Sequence, residues 1–184
     1  MKTIRLTVPL LLLVAVLVAG GWMLLRDDAK QYAVPRQLCD VPVTSSVLAP
    51  LLPPGEEVEH EEPDVEPPAR DIILYCEVRV DREVVMALSV YGFAAPTPDL
   101  QAEYQAAPSA YGIAVPYEEV IDGEYAILDA GGSLMESPCP SRGEDAVLHI
   151  NIQNFATRGD SGEGRERMKD FTEDFVHSAR EIYC

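Results

Sequence analysis

The chain has 184 residues, of which 31 are acidic and 14 basic, so its formal net charge is −17 at pH 7. Every acidic residue follows residue 26, whereas Lys2, Arg5 and Arg26 do not, so the later part carries 11 basic residues against 31 acidic and a formal charge of −20. Nucleic acid and anionic lipid headgroups repel such a surface, which argues against both as partners. Basic proteins and divalent cations are attracted, although solubility is the commonest role of surface charge.

Residues 6–25 form a run of twenty uncharged residues near the amino end. A helix of this length spans roughly 30 Å, the thickness of the hydrocarbon core of a bilayer. Lys2 and Arg5 precede the run and place the amino end in the cytoplasm, and Trp22 lies where interfacial aromatic residues collect. We therefore predict that residues 1–26 are a cytoplasmic stub and a transmembrane signal anchor. The alternative is a signal peptide that is cleaved after residues 18–20, which gives a secreted protein.

Residues 27–37 are predicted to be a linker and residues 38–184 a single exported domain, long enough to bury a core. Four widely spaced cysteines lie in this domain: Cys39, Cys76, Cys139 and Cys184. In an oxidising compartment an even number of such cysteines predicts two disulfides. The spacing contains no Cys-x-x-Cys pair, which argues against a zinc ribbon or a thioredoxin-type redox site.

The first part of the domain is predicted to be mainly irregular. Residues 43–52 can hold one or two helical turns with Thr44 or Ser45 as the N-cap, and Pro53 and Pro54 end them. Residues 55–70 are rich in proline and acidic side chains, which predicts an exposed loop. Its acidic residues are candidate cation or partner contacts: Glu56, Glu57, Glu59, Glu61, Glu62, Asp64 and Glu66.

The middle of the chain alternates in hydrophobicity. Residues 72–80 and 83–91 are predicted strands joined by a turn at Asp81 and Arg82, with the side chains of Leu74, Cys76, Val78 and Val80 on one face. Thr97 and Pro98 begin a predicted short helix that runs to about residue 106. Residues 113–122 are predicted to be a loop.

The last part contains the clearest patterns. Residues 125–128 and 134–136 are short predicted strands, and residues 146–155 form a strand with His149, Asn151 and Gln153 on its outward face. Residues 163–183 predict an amphipathic helix that Ser161 caps. Its apolar stripe comprises Met168, Phe171, Phe175, Ala179 and Ile182.

The lengths of the last strand and helix predict how the cysteines pair. The ten-residue strand is about 33 Å long and the 21-residue helix about 31 Å. If the helix turns back across the sheet, its end returns to the beginning of the strand, which brings Cys184 to Cys139. Cys39 and Cys76 then form the second disulfide.

The predicted fold class is α+β, with an N-terminal transmembrane helix followed by an antiparallel sheet that the C-terminal helix crosses on one face. The layout of the chain consists of an anchor, then Cys39-Asp40, then a cysteine within a strand, and finally a strand and a helix between Cys139 and Cys184. This layout resembles small membrane-anchored or secreted envelope proteins of actinobacteria whose function is unassigned. The resemblance implies a two-disulfide α+β ectodomain and transfers no catalytic residues to this chain.

Sequence patterns of known catalytic, cofactor and metal sites are not found. No Gly-x-Ser-x-Gly or phosphate loop occurs, and His60-Glu61-Glu62 lacks the second histidine of a zinc protease helix. The acidic residues 56–66 do not match an EF-hand, so we expect a weak cation atmosphere rather than a calcium site. We expect His149 to face solvent and His177 to pack at the boundary of the apolar stripe. Arg158-Gly159-Asp160 is expected to be a turn rather than an adhesion signal.

Two main functional hypotheses remain, beside a weaker third one, a cation-responsive protein that uses residues 56–66. The first is a non-catalytic binding or scaffolding module at the cell envelope, with the membrane and a basic envelope protein as its partners and no cofactor. The second is an extracytoplasmic hydrolase with a carboxylate site or a His–acid site. A pocket lined by two carboxylates or by a His–acid pair favours the enzyme, whereas a flat or grooved surface favours the binding module.

Overall fold

The computed structural model describes residues 30–63, 72–94, 100–106, 110–157 and 161–184. The predicted anchor at residues 6–25, the helix start at residues 97–99 and the turn at residues 158–160 lie outside these ranges. Asp64 and Glu66 lie outside them as well. No helix within the described ranges is long and apolar enough to cross a membrane.

Two strands and a short helix precede the main sheet. The elements follow in the order β1 (Gln37–Leu38), β2 (Val41–Pro42), α1 (Ser45–Leu48), a 3₁₀ turn (Ala49–Leu51), β3 (Val58–Glu61), β4 (Ile72–Val80), β5 (Glu83–Ala94), α2 (Leu100–Ala106), β6 (Tyr117–Ile121), β7 (Glu124–Asp129), β8 (Gly132–Pro138), β9 (Val147–Asn154) and α3 (Gly162–Tyr183). The helical turns predicted within residues 43–52 and the strands at residues 72–80 and 146–155 are confirmed, with small shifts at their ends.

Seven strands form one antiparallel sheet in the order β3-β4-β5-β9-β8-β7-β6. The order consists of two meanders, β3-β4-β5 and β6-β7-β8-β9, which meet where β5 pairs with β9. β1 and β2 form a separate small hairpin. The α+β class with an antiparallel sheet and a C-terminal helix is therefore correct.

The central strands form where apolar and polar residues alternate along the chain. Leu74, Cys76 and Val78 of β4 are buried on the face that α3 covers, as predicted. Asp81 and Arg82 form the turn with positive φ values of 52° and 72°, the left-handed conformation that a two-residue hairpin loop requires. β5 extends three residues beyond its predicted end, to Ala94.

Helix α3 lies across one face of this sheet. Ser161 caps it by accepting a hydrogen bond from the Gly164 amide, 3.0 Å away, as the sequence predicts. Met168, Phe171, Phe175 and Ala179 are fully buried in the core. Ile182, predicted to share this stripe, is instead 44% exposed, because it lies on the last turn of the helix, at the edge of the covered area.

A second, smaller core lies on the opposite face. Leu100 and Tyr104 of α2 pack with Ile113, Ile127 and Leu134 over β7 and β8. The Tyr104 hydroxyl donates to the Ile113 carbonyl over 3.0 Å, and burial raises the pKa of this tyrosine. The buried Asp129 carboxylate holds the neighbouring backbone by accepting the amides of Ala114, Val115, Gly131 and Gly132.

This second core explains one wrong prediction about β9. Asn151 was expected to face outward into solvent, but it is only 5% exposed and donates to the carbonyl of Ser133. Gln153 donates to the Ala110 carbonyl. Residues 110–113 thus lie over the outward face of β9, which the sequence pattern treated as open.

Two predicted loops contain edge strands. Residues 117–121 of the predicted 113–122 loop form β6, and residues 58–61 of the predicted acidic loop form β3. Each strand carries two glutamates that remain in contact with water, so their charge does not oppose strand pairing. Edge strands commonly carry charged residues, which conceal the alternation that identifies strands in a sequence.

Both predicted disulfides are present. Cys39 pairs with Cys76 and Cys139 with Cys184, closing loops of 37 and 45 residues. Disulfides of this kind are consistent with an extracytoplasmic domain. The first attaches the β1–β2 hairpin to β4, and the second attaches the end of α3 to the residue that follows β8.

We expect the Cys139→Ala/Cys184→Ala variant to lose about 4 kcal/mol of unfolding free energy, because its 45-residue loop is no longer closed in the unfolded chain. Urea unfolding of the full-length chain measures the loss. Cys39→Ala/Cys76→Ala is the matched comparison, and its 37-residue loop predicts nearly the same loss. A loss below about 1 kcal/mol in either variant contradicts the expectation.

Candidate functional site

A groove runs along the exposed flank of α3. It consists of two adjoining cavities of about 380 and 510 Å³, which share Asp122 and His177 in their walls. The first cavity begins at Val47 of α1 and the second reaches Cys184. We call this surface the α3 groove; the acidic side chains that line it are Asp122, Asp170, Glu173, Asp174 and Glu181.

The helical repeat of α3 gathers four of these carboxylates. Residues three or four positions apart are neighbours on one side of a helix. This spacing links residues 170, 173, 174, 177 and 181, so their side chains lie on the same side of α3. The adjacent side carries the buried Phe171 and Phe175. Burial of the apolar stripe against the sheet therefore fixes the direction in which the acidic side faces.

The opposite wall of the groove comes from distant parts of the chain. Asp122 lies in the turn between β6 and β7, where Asp122 and Gly123 have positive φ values of 50° and 86°. Its carboxylate accepts a hydrogen bond from Arg180 of α3 over 2.7 Å, which joins the turn to the helix. Pro138, Pro140 and Ser141, at and after the end of β8, complete this wall.

The carboxyl end of α3 is held in place beside this wall. The Cys139–Cys184 disulfide fixes it covalently. The Arg142 side chain donates to the Tyr183 carbonyl over 3.0 Å, and the Ser141 hydroxyl donates to the Cys184 carbonyl. Burial raises the pKa of Tyr183, and the nearby acidic Glu62 and Asp40 raise it further.

Two basic side chains in the first turns of α3, Arg165 and Lys169, contact β6 rather than the groove, and Arg167 pairs with Glu163 of the same helix. Lys169 donates to Glu119 over 2.9 Å, and this hydrogen bond together with the charge of Glu119 raises the pKa of Lys169. The Arg165 guanidinium lies 4.1 Å from the centre of the Tyr117 ring. These contacts leave Arg180 as the arginine that lines the groove.

The groove carboxylates differ in the contacts that they make within the chain. Asp174 accepts hydrogen bonds from the Thr44 amide and hydroxyl, both over 2.7 Å, and so joins α3 to the residue that precedes α1. Asp122 is paired with Arg180, and Glu181 lies 3.5 Å from His177. Asp170 and Glu173 make no ion pair within the described ranges, and the charge of Glu173 adds to that of Glu119 in raising the pKa of Lys169.

The groove carboxylates lie in an open line and do not converge on one point. Within the part of the chain that the structure describes, no three His, Cys, Asp or Glu side chains converge in a way that could hold a metal. Carboxylates spread along an open helix flank give this surface a negative potential that attracts cationic groups.

The acidic residues at positions 56–62, which the structure describes, make separate contacts. The amides of Glu56 and Glu57 both donate to Asp81 over 3.0 Å, at the β4–β5 turn. Glu61 pairs with Arg79 of the neighbouring strand over 2.9 Å, and Glu59 lies exposed on β3. The described members of this set thus lie on β3 and in the residues beside it.

The three histidines occupy positions that the sequence did not predict. His177 was expected to pack at the boundary of the core, but its side chain is 71% exposed, because it belongs to the acidic side of α3. His60 Nδ1 accepts the Cys39 amide over 3.2 Å, next to the first disulfide.

His149 was expected to face solvent, but its side chain is only 16% exposed. Its Nδ1 lies 3.3 Å from a carboxylate oxygen of Glu136, whose side chain is 14% exposed. The Tyr91 ring meets the imidazole edge-on, with 6.2 Å between ring centres. This His–acid pair lies on the sheet face opposite α3 and is therefore separate from the α3 groove.

The groove residues were not among those predicted from the sequence. The recurrence of acidic residues at positions 166, 170, 173, 174 and 181 was a usable signal for a charged helix side. Nothing in the local sequence indicated that Asp122, some fifty residues earlier, would face that side.

Comparisons of the chain with protein-family models, with curated proteins and with solved structures found no match in any of the three searches.

We expect Asp174→Ala to lower the free energy of unfolding by about 2 kcal/mol, because the two hydrogen bonds from Thr44 to the carboxylate are lost. Asp170→Ala removes the same charge from the same helix side without breaking such a contact, so its effect is expected to stay within about 0.5 kcal/mol. Urea unfolding of both variants makes the comparison. Equal losses contradict the assigned role of Asp174.

Proposed function

We propose that this chain is a non-catalytic binding or scaffolding module that engages a basic segment of another envelope protein through the α3 groove. The observation that supports this function is the line of carboxylates along one side of α3, which faces a wall supplied by the β6–β7 turn. A complementary charge pattern speeds association and selects among partners.

The proposed location is the outer face of a cell membrane, with residues 6–25 as a single-pass anchor. The length of the apolar run and the basic residues before it support the anchor, and the two disulfides support an oxidising compartment. The alternative, secretion after cleavage of the leader, leaves the domain on the same side of the membrane. Assignment to the actinobacterial envelope rests on the resemblance in layout.

The test is affinity capture of the intact chain from its own membranes at low ionic strength. We expect a basic protein to be retained by the wild type and lost by Asp170→Asn/Glu173→Gln, because these carboxylates are the least engaged in the groove. The complex should also dissociate as salt is raised from about 0.05 to 0.5 M, since exposed ion pairs are screened.

Glu59→Gln/Glu62→Gln is the matched control, because it removes the same charge from the acidic segment at β3. Retention of the partner by both variants argues against an electrostatic groove site. If only the β3 variant loses the partner, the partner contacts the acidic segment at β3 instead of the α3 groove.

One observation supports a hydrolase as the second candidate function. The half-buried His149–Glu136 pair has the form of a base held in place by an acid. Ser89 lies on the same face of β5, two residues from Tyr91, and is 7% exposed. A serine or a water molecule would have to serve as the nucleophile beside this pair.

This alternative predicts that the full-length chain hydrolyses p-nitrophenyl acetate and that His149→Ala lowers the rate about a hundredfold or more. His177→Ala is the control, because that imidazole is exposed and lies on the other face. A wild-type rate equal to that of buffer, or equal loss in both variants, removes the hydrolase.

A further inference from the structure

Residues 30–36 are attached to the domain along their length. Three groups of this segment donate hydrogen bonds to backbone carbonyls in the region of α1 and the residues after it: the Lys30 ammonium to Ala49, the Gln31 amide to Gly55 and the Tyr32 hydroxyl to Pro53. Tyr32 and Val34 also pack against the main core. The domain therefore begins at or before residue 30.

Four residues, 26–29, separate this attached segment from the predicted transmembrane run 6–25. An extended chain covers at most about 3.5 Å per residue, so Leu25 and Lys30 are at most about 18 Å apart. The headgroup layer on one side of a bilayer takes up roughly 6 Å of that distance. If residues 6–25 span the membrane, Lys30 lies within about a dozen ångströms of the headgroups.

The surface around Lys30 is one end of the domain. The 3₁₀ turn that accepts the Lys30 ammonium also accepts the Asn154 side-chain amide, over 3.1 Å. Phe155 follows the end of β9 there and is 44% exposed. Burial lowers the pKa of Lys30, and the nearby charge of Arg167 lowers it further. We call this surface the entry pole; it comprises Lys30, the turn Ala49–Leu51, Phe155 and the first turns of α3.

The α3 groove leads from the entry pole to the opposite end of the domain, which we call the far pole. Phe155 follows the end of β9, whereas pairing of β8 with β9 places Cys139 beside its beginning. This strand has eight residues and is about 26 Å long. The disulfide from Cys139 to Cys184 puts the end of α3 at the far pole, and Asp122 lies there as well, bonded to Arg180.

The chemistry of the two poles favours one orientation at a membrane. Aromatic side chains collect at the interface between lipid and water, which suits the exposed Phe155. Anionic headgroups repel the carboxylates of the α3 groove, so they disfavour turning that side toward the lipid. The entry pole also carries the exposed Glu56 and Glu57, so the short tether rather than charge holds it near the headgroups.

We propose that the entry pole lies at the headgroup layer of the membrane, with Phe155 in contact with it, and that the α3 groove opens toward the side away from the lipid. The inference rests on the proposed function, in which residues 6–25 are the anchor, and it adds the direction from which the partner approaches. A basic segment that fills the groove then belongs to a part of the partner that projects beyond the headgroups.

The test measures tryptophan fluorescence of the full-length chain in phosphatidylcholine vesicles, with and without a lipid that carries a nitroxide quencher on its headgroup. Trp22 is the only tryptophan of the chain, so the wild type reports on the anchor. Phe155→Trp and Ile182→Trp, each combined with Trp22→Phe, report on the entry pole and the far pole. The two positions are matched, because both native side chains are 44% exposed.

We expect the quencher to remove about half of the Phe155→Trp emission and less than about a tenth of the Ile182→Trp emission, because about 26 Å of strand separates the poles. Equal quenching at the two positions, stronger quenching of Ile182→Trp, or an unquenched Phe155→Trp overturns the inference. Urea unfolding checks that each variant folds. Glu83→Trp, exposed after the β4–β5 turn, and Val120→Trp, two residues before Asp122, replace a variant that does not fold.

Trp22 separates this inference from the proposed function. An unquenched Trp22 removes the membrane location and this inference with it. A quenched Trp22 beside an unquenched Phe155→Trp keeps the anchor and removes the orientation alone. Capture with Asp170→Asn/Glu173→Gln tests groove binding independently of the fluorescence result, so binding and orientation can fail separately.

Discussion

The packing of α3 across the sheet is the contact on which the rest of the domain depends. Phe171 and Phe175 are fully buried between the helix and the strands. Ser161 fixes one end of the helix by capping it, and the Cys139–Cys184 disulfide fixes the other. Because the apolar side of α3 can face only the sheet, its acidic side must face outward, against Asp122 and the residues that follow β8. The α3 groove is thus a consequence of core packing.

Several parts of this arrangement were predictable from the sequence because their signals are local. The alternation in β4 and β9 reports burial of one strand face, and Ser161 with the spacing of Met168, Phe171 and Phe175 reports a capped amphipathic helix. The cysteine pairing followed from the lengths of the last strand and helix. Because they are nearly equal in length and antiparallel, the end of the helix lies beside the beginning of the strand.

Other parts depend on contacts between distant residues, so local patterns could not reveal them. β3 and β6 are edge strands whose glutamates interrupt the apolar alternation. The burial of Asn151 depends on residues 110–113, which cross the outer face of β9. The α3 groove needs Asp122 beside Arg180, a contact across 58 positions of the chain. Its acidic helix side was visible in the sequence, but the facing wall was not.

The Cys39–Cys76 disulfide determines how the domain would carry mechanical load. Residues 30–36 lead into β1, and the disulfide passes any pull on them directly to β4, near one edge of the sheet. β6 is at the other edge. Tension between the two therefore runs across the strands, along the direction of their hydrogen bonds. Hydrogen bonds that are loaded in this direction break one after another, so the domain would unfold at a lower force than if it were sheared along its strands.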